Sequence, residues 1–418
     1  MEKQNRKLAA TLIALALLAA APATAAGTDE AGETATAPVQ QKVVATPLVF
    51  AVMSQPWAVE GSDDKYHLVY EVRFSNAAPL AARLDRVSVL DAKSGKSIAS
   101  FDADAIKTRF EVGANRDKLG QQLGAAEFGV LFLHVALPTM AAVPETISHE
   151  IDFTFDPGAG SERHITENGA FTAVKKDPAV VLGPPLRGRN YIAGDSCCDT
   201  VRHVRALLPL NGGFWLAQRF AIDWEQVDDE GRIFVGDRSD VHSYHIYGKP
   251  VLAVADGKAV VVHDGVPDQV PNDPKPITDL ADADGNHVLQ DLGNGAYALY
   301  AHMQPESVRA RVKQGAMLRK GQVIGLVGNT GNTTEPHLHL HVVSRPSTLL
   351  ANGIPYVFEQ FKLTGFDPLG TPDFDKGTSQ GTPLTITLID PPTLHQRQLP
   401  LDLVIVDWLN GGRKTGQR

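Results

Sequence analysis

Three histidines alternate with two leucines after Pro336, in the run His337-Leu-His-Leu-His341. On a β-strand, residues two apart project from the same face about 7 Å from each other, so His337, His339 and His341 share one side while Leu338 and Leu340 anchor the other. Imidazoles are costly to bury without a metal, a charge or a hydrogen-bond partner, and a neutral imidazole is a metal ligand. The alternation therefore predicts a functional face. The approach to it, Gly328 to Glu335, is built from small residues and leaves room beside the rings. Upstream, Tyr300-Ala-His-Met303 ends another strand-like run. If that strand lies alongside the first, His302 points into the same cleft; standing alone it would be a strand-end histidine in water.

The elements around this face read as β-structure. Gly-punctuated apolar runs cover 248–262, 287–300 and 323–328, and Gly293-Asn-Gly295 between two strand-like runs is a hairpin signal. A predominantly antiparallel sheet follows. Earlier, residues 47–52, 67–74, 86–90 and 129–135 are short β-branched and aromatic segments separated by turn clusters. The 67–74 segment alternates almost strictly, with Leu68, Tyr70, Val72 and Phe74 on one face and His67, Glu71 and Arg73 on the other. That pattern predicts an immunoglobulin-like β-sandwich. The fold class expected is all-β: a sandwich over 44–160, a linker over 161–190 marked by Pro178, Pro184 and Pro185, an antiparallel β domain over 191–365, and an extension over 366–418. In the sandwich, His67, His134, His149 and His164 are scattered in sequence and read as ordinary surface or core residues.

The first 25 residues have the layout of a secretory signal: Lys3, Arg6 and Lys7, an apolar run from Leu8 to Ala21, and Ala23-Thr-Ala25 as a small-residue cleavage site. Residues 26–43 read as a flexible leader. The expectation is an exported protein, periplasmic or secreted, with no transmembrane helix in the mature chain. Net charge is −9 and there is no long basic run, which excludes the electrostatic footprint of a nucleic-acid binder. The two cysteines are adjacent, Cys197 and Cys198. Two readings stay open for them, a strained vicinal disulfide or two thiols. Asp195, Asp199, Asp228, Asp229, Glu230 and Asp240 lack calcium-loop spacing and read as solvated loops.

The 247–257, 300–303, 312–325 and 328–339 segments together resemble the lysostaphin/LytM-type zinc metallopeptidases, which cut peptide cross-links of bacterial peptidoglycan. The resemblance covers about 150 residues and implies a LytM-type β domain. It further implies that Asp223 and His339 hold zinc and that His337 and His302 serve as general base and transition-state stabiliser. Three protein ligands leave zinc an open position, where bound water becomes a nucleophile near neutral pH. One position departs from the family pattern. Four residues before Asp223, where that family has its first ligand His, this chain has Arg219. A guanidinium has no lone pair to give.

Three explanations follow. Another residue completes the site, from His341, His203, His242, His245 or a cysteine. Alternatively Arg219 pairs with Asp223 and the domain is metal-free, binding cell wall or activating a partner wall hydrolase. In the third, metal is held weakly by Asp223 and His339 while Arg219 steadies an anion. The function expected is hydrolysis of a peptidoglycan peptide bond by metal-activated water, the alternative a non-catalytic module.

Overall fold

The computed structural model describes residues 46–409 apart from 114 and 157–159. The expected signal and leader lie outside the described residues. No helix among the described residues is long and apolar enough to cross a membrane.

The alternation in Tyr66–Asn76 sends Leu68, Tyr70, Val72 and Phe74 into an apolar core shared with Leu84, Val87, Ile151 and Phe153. The first group belongs to a sheet ordered Leu48–Val52, Tyr66–Asn76, Phe128–Leu137, Phe110–Val112, with Val59–Glu60 also paired to Tyr66–Asn76. The second belongs to a sheet ordered Arg163–Ala173, Thr146–Phe155, Ala82–Asp91, Ser97–Asp102, with Gln122–Leu123 paired to Ala82–Asp91. Every pairing in both sheets is antiparallel, so residues 46–173 form a two-sheet β-sandwich.

The stretch expected as a linker, 161–190, is structured instead. Arg163–Ala173 is the sandwich's outer strand, Val180–Leu182 pairs in parallel with Tyr356–Phe358, and Gly188–Gly194 begins the second domain's sheet. Arg163–Ala173 has no fully buried residue, so its sequence lacks the apolar alternation that marks an inner strand.

The second domain is organised by a ten-stranded antiparallel sheet. Its order is Met317–Leu318, Gly257–His263, Asn286–Gly293, Ala296–Met303, Leu338–Val343, Ile222–Gln226, Gly188–Gly194, Val404–Trp408, Phe361–Phe366, Thr387–His395. The tail is thus part of the sheet and not a cover on it. Val404–Trp408 runs between Gly188–Gly194 and Phe361–Phe366, and the Trp408 ring meets Trp224 at 5.0 Å and Phe358 at 4.9 Å between centroids. Leu338, Leu340 and Val342 face the main core, as expected of the residues between the histidines.

The polar face of Tyr66–Asn76, apart from the exposed Arg73, is largely covered. Val69 joins the core of the second domain, and Val130 and Phe132 of the neighbouring strand pack on Leu207 and Leu216. In the middle of this contact Glu71, fully buried, receives two hydrogen bonds from Arg219, each 2.8 Å. Arg219 also donates to the Gly353 carbonyl at 2.9 Å and to Ser54 Oγ at 3.0 Å. The bidentate fork matches a carboxylate in a way lysine could not.

Removing one partner leaves the other's charge in a dry interface, which typically costs about 3–5 kcal/mol, whereas replacing both with apolar groups of similar volume is often nearly neutral. Glu71→Leu and Arg219→Met are each expected to lower unfolding free energy by about that amount in urea melts, with the double variant recovering most of the loss. Losses that simply add would overturn the pair as their source.

Candidate functional site

The sheet register sets the site. His339 lies opposite Asp223 on one neighbouring strand and opposite Ala301 on the other. Directly opposed residues point to the same face, and His339 Nδ1 stands 2.7 Å from Asp223 Oδ1. His203, in the loop after Gly188–Gly194, brings Nε2 to 3.2 Å from Asp223 Oδ2. His337 Nε2 approaches Oδ1 at 3.4 Å. Ligand atoms of His203, Asp223 and His339 lie within 4.8 Å of one another, and so do those of His302, His337 and His339.

His302 reaches this face by a break in alternation. Tyr300 is a core residue opposite Leu340, so an unbroken strand would also send His302 into the core. Between Val288↔Tyr300 and Asn286↔Met303 one strand advances by two residues and the other by three. That is a β-bulge, a device that re-aims a side chain. His302 adopts φ 59° there, in the left-handed region that a non-glycine residue enters only when its surroundings enforce it. Its ring turns to the site, 4.8 Å from His337 between centroids, and Met303 takes the core position. The turn is held by the neighbouring loops: His302 N–H donates to the Asp284 carbonyl and Thr330 Oγ1–H to the Met303 carbonyl. Gly285 and Gly331, both at positive φ, let these loops touch; a Cβ on Gly285 would lie 2.1 Å from the Thr330 carbonyl oxygen.

His203, His302 and His337 each have Nδ1 committed to a carbonyl acceptor, which leaves Nε2 as the nitrogen free to face the cleft. His203 Nδ1–H donates to the Asp195 carbonyl at 2.9 Å, His302 Nδ1–H to the Thr330 carbonyl at 2.7 Å, and His337 Nδ1–H to the Glu335 carbonyl at 2.8 Å. All three therefore present Nε2 to the cleft. His339 is reversed, with Nδ1 toward Asp223 and Nε2 2.7 Å from His341 Nδ1. A lone pair on His339 Nδ1 places its hydrogen on Nε2, where His341 Nδ1 accepts it. His203, Asp223 and His339 thus make a nitrogen, oxygen, nitrogen donor set of the kind zinc takes, with ligand atoms within 4.8 Å of one another.

Electrostatics agree with this arrangement. Burial alone would raise the Asp223 pKa, but the surrounding His203, His337 and His339 hold the carboxyl well below its ordinary value. Burial pulls His203 down, yet the Asp223 charge outweighs it and raises His203 to about 9 in the absence of metal. His302 and His341 are pushed well below the ordinary imidazole value, by burial first and by neighbouring histidines second.

Of the residues singled out from the sequence, His203, Asp223, His302, His337, His339 and His341 converge, with His341 behind His339 rather than in the cleft. Arg219 does not pair with Asp223; it points to Glu71. His245 is elsewhere, 3.5 Å from Asp228, and His242 pairs with Asp240 on the surface. The cysteines form a vicinal disulfide. Asp195, read from the sequence as a solvated loop residue, is buried and holds Arg202 through both carboxylate oxygens at 3.0 and 2.9 Å while its carbonyl fixes His203. The supports that sequence reasoning missed, the carbonyls of Asp195, Thr330 and Glu335, are backbone atoms with no residue-type signature. The site opens into a cleft of about 670 Å³ whose walls include Arg116, Arg202, Asn272, Leu349 and Asp375.

Residues 241–349 match the family model described as Peptidase family M23. Peptidoglycan DD-endopeptidase ShyA of Vibrio cholerae is 38% identical over 73 residues, which are 17% of this chain and 16% of that protein. Peptidoglycan DD-endopeptidase ShyB of the same organism is 31% identical over 98 residues, 23% of this chain and 18% of its own length. The chain thus covers less than a fifth of either relative. Among solved structures, a mutant catalytic domain of the prophage-encoded M23 protein EnpA from Enterococcus faecalis aligns at 18% identity and TM-score 0.24, over 42% of this chain and 92% of that one. The matched span holds His302, His337 and His339 but begins after His203, Arg219 and Asp223, so the similarity to peptidase family M23 is carried by residues 241–349.

Proposed function

We propose that this protein is an exported zinc endopeptidase that hydrolyses a peptide bond of peptidoglycan. The observation that carries the reading is His203. Where Arg219 leaves the donor set one ligand short, His203 Nε2 arrives from a different loop, 3.2 Å from Asp223 and with its own tautomer fixed. The relatives' names supply the substrate class, and an exported enzyme would meet that substrate outside the cytoplasm.

In this mechanism His203, Asp223 and His339 hold zinc, which supplies Lewis acidity toward water and the scissile carbonyl. His341 keeps His339 in the tautomer that offers Nδ1. His302 and His337 divide the proton work at their Nε2 atoms. Their Nδ1 hydrogens are given to carbonyls, so each starts as an acceptor and can take the proton of the attacking water. The ring that takes it then donates, to the leaving amine or to the developing oxyanion. Burial keeps His302 neutral and ready for this role.

Purified wild type is expected to carry near-stoichiometric zinc and to clear a peptidoglycan zymogram, with chelation abolishing the activity and zinc restoring it. His203→Ala and His339→Ala should lose both metal and clearing, while His245→Ala keeps both. Equal clearing by wild type and His339→Ala would sink the metal-centred mechanism; absence of zinc under gentle purification would favour the non-catalytic, wall-binding or hydrolase-activating alternative.

Because His341 acts through His339, His341→Phe is expected to weaken zinc affinity by about 10–100-fold in competition titrations, with His341→Gln, which retains an acceptor, losing less. Identical affinities for the two variants would remove the orienting role.

A further inference from the structure

His67 and His134, unrelated in the sequence, meet where the sandwich abuts the loop that carries His203. The strands Tyr66–Asn76 and Phe128–Leu137 place His67 opposite Ala136 and His134 opposite Val69, so the two histidines are diagonal neighbours on one face. Their rings stack at 5.1 Å between centroids, and His67 Nδ1 lies 2.8 Å from His134 Nε2. The outer nitrogens are both taken: His67 Nε2–H donates to Asp63 at 2.9 Å and His134 Nδ1–H to Asp199 at 3.0 Å. With those hydrogens committed, two neutral rings would set lone pair against lone pair at 2.8 Å. The gap needs a cation, either a proton or a metal ion.

A sulfur stands at the same gap. Cys198 Sγ and one ring nitrogen of each histidine lie within 4.8 Å of one another. Carboxylate-held histidines whose free nitrogens converge are the outer-shell pattern of metal sites, and a thiolate with two imidazoles suits a soft or borderline cation such as zinc. Around zinc the two nitrogens would stand roughly 3.3 Å apart, a parting of about half an ångström from their present separation. The sulfur is now bonded to Cys197 and has no charge to offer.

We propose that His67, His134 and Cys198 form a second zinc site, separate from the catalytic cleft, that opens when the Cys197–Cys198 disulfide is reduced. A dithiol reductant delivers two electrons and two protons; the S–S bond breaks, two thiols form, and the reductant leaves as its own disulfide. Cys198 then releases its thiol proton as the sulfur binds zinc, and the half-buried His134 and exposed Asp199 side give the ion its path in. The same loop carries Asp195, Cys198 and His203, so occupancy of this site would tie the catalytic loop to the sandwich.

The test is zinc stoichiometry of the full chain, measured oxidised and again after dithiol reduction and oxygen-free desalting. Reduced wild type is expected to gain one zinc equivalent. Cys198→Ser and His134→Ala should gain none, and Cys197→Ser should hold the additional zinc without any reductant. Cobalt should report the thiolate as a sulfur-to-metal charge-transfer band in reduced wild type and in Cys197→Ser, absent in Cys198→Ser. Asp223→Ala, which lacks a ligand of the catalytic cleft, should still gain its equivalent, so the outcome is independent of the catalytic reading. No gain in reduced wild type that keeps its circular dichroism, or a full gain in Cys198→Ser, overturns the proposal.

Discussion

The half-buried carboxylate of Asp223 is the constraint around which the second domain is arranged. A charge at that depth is tolerated only with partners, and the three imidazoles of His203, His337 and His339 supply them. Each ring must then be held by something else. Behind the histidines stand the carbonyls of Asp195 and Glu335 and the imidazole of His341. Behind the Asp195 carbonyl stands a loop tied by its bidentate contact to Arg202, by the Cys197–Cys198 bond and by the hydrogen bond of Ser196 to the Pro400 carbonyl. Carboxylate, imidazoles and the loops that hold them are successive layers of one hydrogen-bonded cluster.

The exchange at Arg219 and His203 relocates a donor and gives the vacated position another use. A ligand from Arg219's position would have come from the strand's own approach. Here that residue faces the sandwich, and the imidazole comes from the loop after the neighbouring strand Gly188–Gly194. Arg219 clamps Glu71 of the sandwich while His203 completes the cluster. The sandwich therefore packs on the second domain by an ion pair and an apolar contact, and the sheet that carries the site cannot be considered apart from it.

The alternation at His337–His341 made the strand and its two faces legible, because residue type and a period of two carry that information directly. The same was true of Leu68, Tyr70, Val72 and Phe74 in the sandwich core. Asp223 was legible only through resemblance. His203 stood among several candidates, since sequence distance does not tell which loop bends to a strand 136 residues later. The meeting of His67 with His134 was illegible for a related reason: it depends on the pairing register of two strands. The bulge at His302 breaks the period from which alternation is read, so its direction could be stated only conditionally. Thr387–His395 and Arg163–Ala173 were obscured because edge strands with one wet face carry little apolar signal.

The place of Val404–Trp408 inside the ten-stranded sheet has a consequence for when the protein can work. Gly188–Gly194, from which the His203 loop departs, pairs on one side with Ile222–Gln226 and on the other with this late strand, while Pro400 and Asp402 accept hydrogen bonds from Ser196 in the loop itself. Contacts of such long sequence separation form late, since closing a large loop precedes any gain from the pairing. A growing chain thus holds His302, His337 and His339 before it can fix His203. On the proposed reading, the donor set of His203, Asp223 and His339 is complete only once the polypeptide has emerged past residue 408.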